Sequence, residues 1–190
     1  MVAAGKLFIC CVSTLNIFMN RKKIILFTVQ VIIVLLGSFL GYKIWSISES
    51  KEKLIAVTQH LPSIQFRKMD GSIFNSDSVN ANEQLLVLNY FNPGCEYCQN
   101  MVKEMHAQKK LLDSVRWVMI TAAPKGETKA FYDSMRLNEL PNVTVVLDTA
   151  YNFMKTFGSG GVPSFYVYRD KKLVRKHSGE CSIHYLLGVK

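Results

Sequence analysis

Apolar and polar residues alternate along this chain in blocks that predict a membrane-spanning helix, a connecting segment and one folded domain. Residues 24–42 form an uncharged, strongly apolar stretch. At about 1.5 Å per residue, a helix of this length spans about 28 Å, close to the hydrocarbon thickness of a bilayer. Tyr42 and Trp45 stand at its far end, where aromatic side chains favour the membrane interface. We expect a transmembrane anchor over 24–42, a preceding segment over 1–23 and a helical stalk over 43–60.

From residue 61 to 190, short apolar runs separated by turn residues predict a single domain of strands and helices. Two of these runs flank Met69-Asp70-Gly71, a combination that predicts a β-hairpin at 64–74. Further strands are expected at 85–91, 115–120, 143–147, 165–168 and 173–177, and helices at 95–112, 127–137, 150–157 and 181–187. This order predicts an α/β fold, in which helices flank both faces of a mixed β-sheet.

Charge is distributed unevenly and indicates an orientation in the membrane. The first 48 residues contain no acid and five basic residues, so they carry +5 of the net charge of +9. Arg21-Lys22-Lys23 precedes the apolar stretch, whereas the residues that follow it are nearly neutral in sum. The positive-inside rule therefore places the N-terminus in the cytoplasm and the domain outside. No basic block with interleaved aromatic residues is present, which argues against a nucleic-acid partner.

A cleaved signal peptide is the alternative to an anchor. Its apolar region would be shorter and would end in small residues of the A-x-A type, which residues 37–41 match only weakly. We therefore expect an uncleaved anchor. Met19-Asn20-Arg21 has the pattern of a natural start, so we expect residues 1–18, with Cys10 and Cys11, not to be translated. Intact-mass measurement tests this expectation, and a mature N-terminus at Met1 or Val2 would contradict it.

The strongest chemical signal is the C-x-x-C motif formed by Cys95 and Cys98, which follows a predicted strand and the Pro93-Gly94 break. Two thiols three residues apart on a first helical turn can close a small disulfide ring. The free N–H groups and the positive dipole end of a helix favour a thiolate at that place. The pattern therefore indicates thiol–disulfide exchange.

A C-x-x-C motif has two common uses besides redox chemistry. A zinc site needs about four ligands, but the remaining cysteines supply no second pair with ligand spacing and the four histidines are scattered. A purely structural disulfide across so short a loop would constrain the unfolded chain little. Redox chemistry is therefore favoured, and the sequence predicts no metal and no cofactor.

On these features the chain resembles the thioredoxin superfamily, in particular its membrane-anchored extracytoplasmic members of the TlpA/ResA type. The resemblance covers residues 61–187. It rests on the hairpin before the motif strand, on the pattern Asn-x-Phe-x-Pro-x-Cys-x-x-Cys that begins at Asn89, and on Gly161-Val162-Pro163 before the last hairpin. It implies a thioredoxin-like fold, a thiol–disulfide oxidoreductase activity and a cis peptide bond at Pro163 beside the disulfide.

The resemblance also implies roles for individual residues. Cys95 would attack a substrate disulfide and Cys98 would resolve the mixed disulfide. The backbone of Val162 would pair with an incoming substrate strand, and Gly94 and Tyr97 would line the same binding site. Glu96 would act as a proton relay or a specificity contact, or would be a first-turn acid favoured by the helix dipole.

The sequence departs from cytosolic thioredoxin at two positions. Gly94 stands where thioredoxin has a tryptophan, so the aromatic cover over the disulfide is missing. Asn89 stands where thioredoxin has a buried aspartate, and an amide does not titrate. A fifth cysteine, Cys181, is expected to be a small buried hydrophobe in the last helix.

Two other functions are compatible with a thioredoxin-like sequence and differ in their cysteine patterns. A peroxiredoxin needs a Thr or Ser three residues before its reactive cysteine and a proline seven before it, and neither Cys95 nor Cys98 meets this requirement. A thioredoxin-fold module that binds copper or a partner without turnover is the remaining alternative. Copper carriers of this fold space their cysteines one residue wider, and titration with Cu(I) would distinguish them.

Together these features predict a single-pass protein of the bacterial inner (cytoplasmic) membrane whose catalytic domain faces the periplasm or exterior. Its expected partners are protein disulfides or dithiols and a membrane electron donor. Apocytochrome c is one candidate substrate by family analogy, and the repair of other exported proteins is another. The direction of electron flow depends on the reduction potential, which the sequence does not specify.

Overall fold

The computed structural model describes residues 21–79, 85–158 and 161–189, and within its first helix the side chains of residues 23–46 and from 55 onward. Cys10, Cys11 and Met19 lie outside these ranges, so the expectations about them stay predictions. The described chain divides into two units near residue 51.

The apolar stretch lies in one continuous helix, α1, which extends over Arg21–Thr58. By length and composition, its segment Lys23–Ser46 can cross a membrane, and none of that segment is buried inside the protein. The expected stalk is therefore helical as far as Thr58. The anchor and stalk boundaries at residues 42 and 60 stay predictions.

The rest of the chain alternates strands and helices in the predicted order. The strands are β1 Gln65–Lys68, β2 Ile73–Asn75, β3 Leu85–Tyr90, β4 Val115–Thr121, β5 Val143–Leu147, β6 Ser164–Arg169 and β7 Lys172–Ser178. The helices are α2 Glu96–Ala107, α3 Lys125–Ser134, α4 Asn152–Phe157 and α5 Ile183–Leu187, with short 3-10 turns at Ser76–Ser78, Lys109–Leu112 and Leu137–Glu139. The predicted hairpin is present, and Gly71 supplies its turn with a φ of +92°.

All seven strands form one mixed sheet in the order β2-β1-β5-β4-β3-β6-β7. The three central strands β3, β4 and β5 are parallel, while β1 and β6 flank them in the antiparallel direction. The carboxyl ends of the parallel strands therefore lie at the same edge as the beginning of β6. This arrangement brings residues that follow β3 next to residues that precede β6.

Each face of the sheet carries its own apolar core. Residues of α2, α3 and α5 pack on one face against side chains such as Val87 and Trp117 of the sheet. The aromatic residues of α4 and the β1–β2 hairpin pack on the other face, where Leu88 and Ile120 are fully buried. The prediction of helices on both faces of a mixed sheet is therefore confirmed.

Several predicted helix boundaries were wrong, and α4 and α5 begin two residues later than predicted, at Asn152 and Ile183. Helix α2 ends at Ala107 instead of continuing to residue 112, because Gln108 leaves helical geometry and a 3-10 turn buries Leu112 instead. Helix α3 begins directly after Pro124 and stops at Ser134, since Arg136 adopts the left-handed conformation with a φ of 49°.

The expectation that Cys181 is a buried residue of the last helix was also wrong. Helix α5 begins at Ile183, and the Ser182 hydroxyl accepts a hydrogen bond from the Tyr185 N–H, which makes Ser182 its N-cap. Cys181 precedes this cap and is half-buried.

The chain segment that follows α1 lies beside the start of β7 and the turn that precedes it. The Leu173 N–H donates to the Gln59 carbonyl at 2.9 Å, and the Leu61 N–H donates to the Lys171 carbonyl at 2.8 Å. The Tyr168 hydroxyl also donates to the Thr58 carbonyl, over 3.0 Å. These bonds fix residues 58–61 against the edge of the sheet.

Candidate active site

The loop between β3 and α2 presents the first cysteine of the motif at the helix N-terminus. The Asn92 side-chain oxygen accepts the Gly94 N–H at 2.8 Å, and the Asn92 carbonyl accepts the Cys95 N–H at 3.0 Å. Cys95 is the N-cap residue of α2, and its side chain makes no capping hydrogen bond. Its thiol is therefore available at the positive end of the helix dipole.

The second cysteine has different surroundings. Cys98 lies one turn into α2 with only 2% of its surface exposed, whereas Cys95 is half-buried. Burial raises the pKa of the Cys98 thiol to about 12, and a hydrogen bond with the Cys95 side chain adds to this effect. Both cysteines are free thiols in this structure. Cys98 is therefore a neutral thiol near pH 7.

The third part of the site comes from a distant point of the chain. The Val162–Pro163 peptide bond is cis, in agreement with the resemblance. The Cys95 thiol donates to the Val162 carbonyl at 3.6 Å, a contact between residues 67 positions apart. Pro163 is buried, while Val162 is half-buried and packs on the same apolar cluster as Cys95.

The other predicted site residues surround Cys95 on the surface. Gly94, Glu96 and Tyr97 are all exposed, with 55% of the Tyr97 surface accessible. A Cβ atom built at Gly94 would meet only the Asn92 side-chain oxygen, at 3.4 Å, so the space above the motif is open. The Glu96 carboxylate forms no hydrogen bond or ion pair with another described residue, so it faces solvent.

Asn89 lies beneath the motif at the end of β3, with 1% of its surface exposed. Its side-chain amide donates to the carbonyls of Tyr90 and Ser164 at 3.4 Å each. It therefore joins β3 to β6 below the site, and it supplies no titratable group to the buried thiol.

Two residues near the motif were not predicted from the sequence. Asn92 shapes the loop, and its position two residues before Gly94 is a recognisable side-chain-to-backbone turn signal. Ser164 follows the cis proline, and its hydroxyl bonds to the Gly161 carbonyl. A lone serine at the start of a strand carries no such sequence signal.

Within the described ranges, no group of three His, Cys, Asp or Glu side chains could hold a metal ion. His106, the histidine that follows the motif on α2, bonds to the Met135 carbonyl at 2.8 Å through Nε2. A carbonyl only accepts, so this nitrogen carries the proton and is not free as a ligand.

No protein-family model and no curated protein matches the chain, but solved structures do. A secreted disulfide oxidoreductase of Mycobacterium tuberculosis, homologous to E. coli DsbE, matches with a TM-score of 0.54 and 20% identity over 66% of this chain and 92% of its own. StoA from Bacillus subtilis matches with a TM-score of 0.54 and 15% identity over 68% of this chain and 97% of its own. A peroxiredoxin-like protein from Aquifex aeolicus matches with a TM-score of 0.55 and 14% identity over 69% of this chain and 83% of its own.

At sequence identities this low, the similarity to these structures shows only that the fold is shared. The domain has the thioredoxin fold, which confirms the fold class predicted from the sequence. Because a peroxiredoxin-like protein shares this fold, any choice among activities depends on the geometry of the site.

Proposed function

We propose that this protein is a thiol–disulfide oxidoreductase that acts through Cys95 and Cys98. The observation that carries the proposal is the asymmetry of the pair. One thiol is accessible at a helix N-terminus beside a cis-proline loop, and the other is buried with its pKa raised to about 12. Attack on an external disulfide needs an accessible sulfur, while internal resolution needs a second sulfur that the substrate does not reach.

In the proposed reaction, the Cys95 thiolate attacks one sulfur of a substrate disulfide. A bond forms between Cys95 and the substrate, the substrate's own S–S bond breaks, and one substrate thiolate leaves. Cys98 then loses its proton and attacks the Cys95 sulfur, which closes the Cys95–Cys98 disulfide and releases the second substrate thiolate. The substrate gains two electrons and the protein loses two, and the same steps in reverse oxidise a dithiol.

The buried thiol orders these two steps. Because Cys98 stays protonated and covered, it does not compete with Cys95 for the substrate. Its proton must leave only after the mixed disulfide has formed. In thioredoxin, a buried acid below the motif can accept the proton of the resolving cysteine. Asn89 stands at this position here, so water or the departing substrate thiolate takes the Cys98 proton.

Glu96 fits a substrate contact better than a proton relay. Its carboxylate is exposed on the first turn of α2, whereas the proton to be moved is on a buried sulfur. We expect Glu96→Gln to change the half-saturating concentration of peptides with basic residues beside their disulfide. A change in the pH dependence of the resolving step would instead support the relay.

We further propose that the domain is anchored in a bacterial inner membrane by the apolar part of α1 and faces the periplasm or exterior. The length and composition of Lys23–Ser46 support this placement. There it would reduce or exchange disulfides of exported proteins, with electrons from a membrane donor. Apocytochrome c is one candidate substrate.

The proposed activity is tested by trapping and by potentiometry on the full chain in detergent. In Cys98→Ser, a mixed disulfide through Cys95 should accumulate, while Cys95→Ser should form none. Equilibration of the wild type against glutathione buffers gives the potential, where about −270 mV would indicate a reductant and about −120 mV an oxidant. If the two cysteines form no reversible disulfide and the reduced pair instead binds one Cu(I) tightly, the binding-module alternative replaces the proposal.

A further inference from the structure

The cis-proline loop is held by three hydrogen bonds, one on each of its carbonyl oxygens. The Gly161 carbonyl accepts the Ser164 hydroxyl, and the Val162 carbonyl accepts the Cys95 thiol at 3.6 Å. The Pro163 carbonyl accepts the Gly179 N–H at 2.8 Å. Among the described residues, these are the hydrogen bonds that hold residues 161–163 in place.

One of the three bonds is lost whenever the site works. The Cys95 sulfur has a hydrogen to donate only as a thiol, and it has none as a thiolate, a mixed disulfide or the Cys95–Cys98 disulfide. During turnover the loop therefore depends on the other two bonds. The Gly179 N–H holds the C-terminal end of the loop, at Pro163. The N-terminal end of the loop, at Gly161, therefore depends on the Ser164 hydroxyl.

Ser164 is itself fixed from several directions. It is 5% exposed and opens β6, where it pairs with Tyr90 of β3 and with Ser178 of β7. Its hydroxyl lies 3.0 Å from the Ser178 hydroxyl. A serine has one hydroxyl hydrogen, and Ser164 gives this hydrogen to a carbonyl that can only accept, so Ser178 must be the donor in the second bond. The hydroxyl of Ser164 is thus oriented by β7 towards the loop.

We infer that Ser164 is a positioning residue, which holds the Gly161–Val162 backbone in the geometry that pairs with an extended segment of a protein substrate. The inference rests on the proposed thiol–disulfide exchange and identifies what keeps its substrate-binding loop in place. Ser164 does not touch the reacting sulfurs. Its loss therefore weakens the binding of peptide substrates and leaves the chemistry of the cysteine pair unchanged.

The test compares two disulfide substrates in single-turnover reactions of the reduced full chain in detergent. One is a short peptide with an internal disulfide, which can pair with Val162, and the other is hydroxyethyl disulfide, which has no peptide groups. Ser164→Ala should raise the half-saturating peptide concentration about three- to tenfold, the effect of one hydrogen bond. Its limiting rate and its rate with hydroxyethyl disulfide should stay at the wild-type level. Ser164→Thr, which keeps the hydroxyl, should restore peptide binding.

Ser76→Ala is the matched control. Ser76 is also a buried serine, and its hydroxyl donates to the Pro62 carbonyl at 2.7 Å and accepts the Ile64 N–H at 2.9 Å, but it lies beside the β1–β2 hairpin. It should lower stability to a similar extent without changing peptide binding. If Ser76→Ala raises the half-saturating concentration as much, the effect is general destabilisation and the inference is wrong.

The remaining outcomes are also decisive. Equal slowing of both substrates in Ser164→Ala, unchanged peptide binding, or a threonine variant that behaves like the alanine variant would each overturn the positioning role. If Ser164→Ala does not fold, Ser178→Ala is compared instead. This variant should raise the half-saturating peptide concentration by a smaller factor, and no rise would overturn the inference. If the wild type exchanges with neither disulfide, the proposed function itself fails and the positioning role fails with it.

Discussion

The two sulfur atoms of the motif are chemically identical, and their positions on the first turn of α2 make them different. Cys95 is at the helix N-cap beside the cis-proline loop, while Cys98 points into the apolar core formed by α2 and the sheet. Desolvation acts on whichever thiol is covered, because an uncovered thiolate keeps its hydration. The proposed roles of attacking and resolving cysteine thus rest on this difference in burial.

The raised pKa of Cys98 predicts an unusual pH dependence of its alkylation. In Cys95→Ser, the rate at which iodoacetamide modifies Cys98 should rise about tenfold per pH unit from about pH 8 to about pH 11, because the folded thiol ionises only near pH 12. Peptide mapping by mass spectrometry separates Cys98 from the other thiols. In urea the same rate should level off above about pH 9, and a plateau there in the folded protein would contradict the burial of this thiol.

The surroundings of Asn89 predict how the stability of the domain would change if an acid stood at this position. In Asn89→Asp, an ionised carboxylate would face the Ser164 carbonyl that now accepts the amide, so we expect a loss of about 1–3 kcal/mol near pH 8. Burial and this carbonyl raise the pKa of the new carboxyl above its unfolded value of about 3.9. The loss should therefore be absent below that value and grow as the pH rises through it.

Urea unfolding of Asn89→Asp and of the wild type, at about pH 4 and about pH 8, measures this difference. A stability difference that is the same at both pH values would show that the carboxylate is solvated or paired.

At the scale of single residues, the sequence predicted the residues of the cysteine motif and the cis-proline loop, but it did not predict the polar residues that hold these loops in place. The C-x-x-C motif and the Gly161-Val162-Pro163 pattern identified residues that the structure brings together at Cys95 and Val162. Ser164 and Asn92 were missed, because the partners of a short polar side chain depend on which backbone groups the fold brings near it. Glu96 and Tyr97 lie on the surface around the motif, and their roles stay predictions.

At the level of the elements, the short helix α4 begins on hydrogen bonds to a single side chain, Asp148. It has six residues, and the buried Asp148 carboxylate accepts the N–H groups of Asn152 and Phe153 at 2.8 Å each. Phe153 then stacks on Tyr90 with ring centroids 4.7 Å apart, and Tyr90 ends the strand that leads to the motif. The Asp148 contact that begins α4 is therefore connected by packing to the loop between β3 and α2 that carries Cys95.

Removal of this contact should be costly. We expect Asp148→Ala to lower the free energy of unfolding by about 1–3 kcal/mol, because two N–H groups lose their acceptor in a buried place. Denaturant unfolding of the reduced protein measures the loss. Asp133→Ala, which breaks the exposed Lys129–Asp133 ion pair, is the control and should cost under about 1 kcal/mol. Equal losses in the two variants would show that the contact contributes little.

Strands were easier to predict than helix ends. The central strands β3, β4 and β5 are continuous apolar runs between turns, and their predicted bounds agree with the structure to within one residue. The ends of α2 and α3 depend on the backbone angles of Gln108 and Arg136, which neither residue type specifies. The pairing of β1 with β5 joins residues about 80 positions apart, and a local pattern contains no information about it.

For the molecule as a whole, the apolar part of α1 is the basis of the proposed location of the thioredoxin-fold domain. Its exposed aliphatic surface is unsuited to water, and the basic residues that precede it favour the cytoplasmic side. The proposed location follows from these two properties.

We therefore predict that the full chain stays in the membrane pellet after extraction with alkaline carbonate. Protease added to the outer face of spheroplasts should degrade the domain, and a cytoplasmic protein in the same sample should stay intact. A soluble product whose N-terminus lies near residue 41 would instead show that the helix is a cleaved signal.

The contact of residues 59–61 with β7 has a consequence for the solubility of the domain. β7 is an edge strand, and an uncovered edge is a template for strand addition by a second molecule. Gln59 and Leu61 occupy backbone groups of this edge, and His60 forms a β-bridge with Lys172. We therefore expect this short segment to protect the first part of the edge against pairing with a second molecule.

A fragment that begins at residue 62 should accordingly form oligomers through edge-to-edge pairing, whereas one that begins at residue 52 should remain monomeric. Sedimentation velocity at matched concentrations distinguishes the two fragments. A monomeric shorter fragment would show that residues 59–61 are not needed to prevent pairing at this edge. If the shorter fragment does oligomerise, residues 59–61 have a second role besides connecting the domain to α1, because they protect the domain against aggregation.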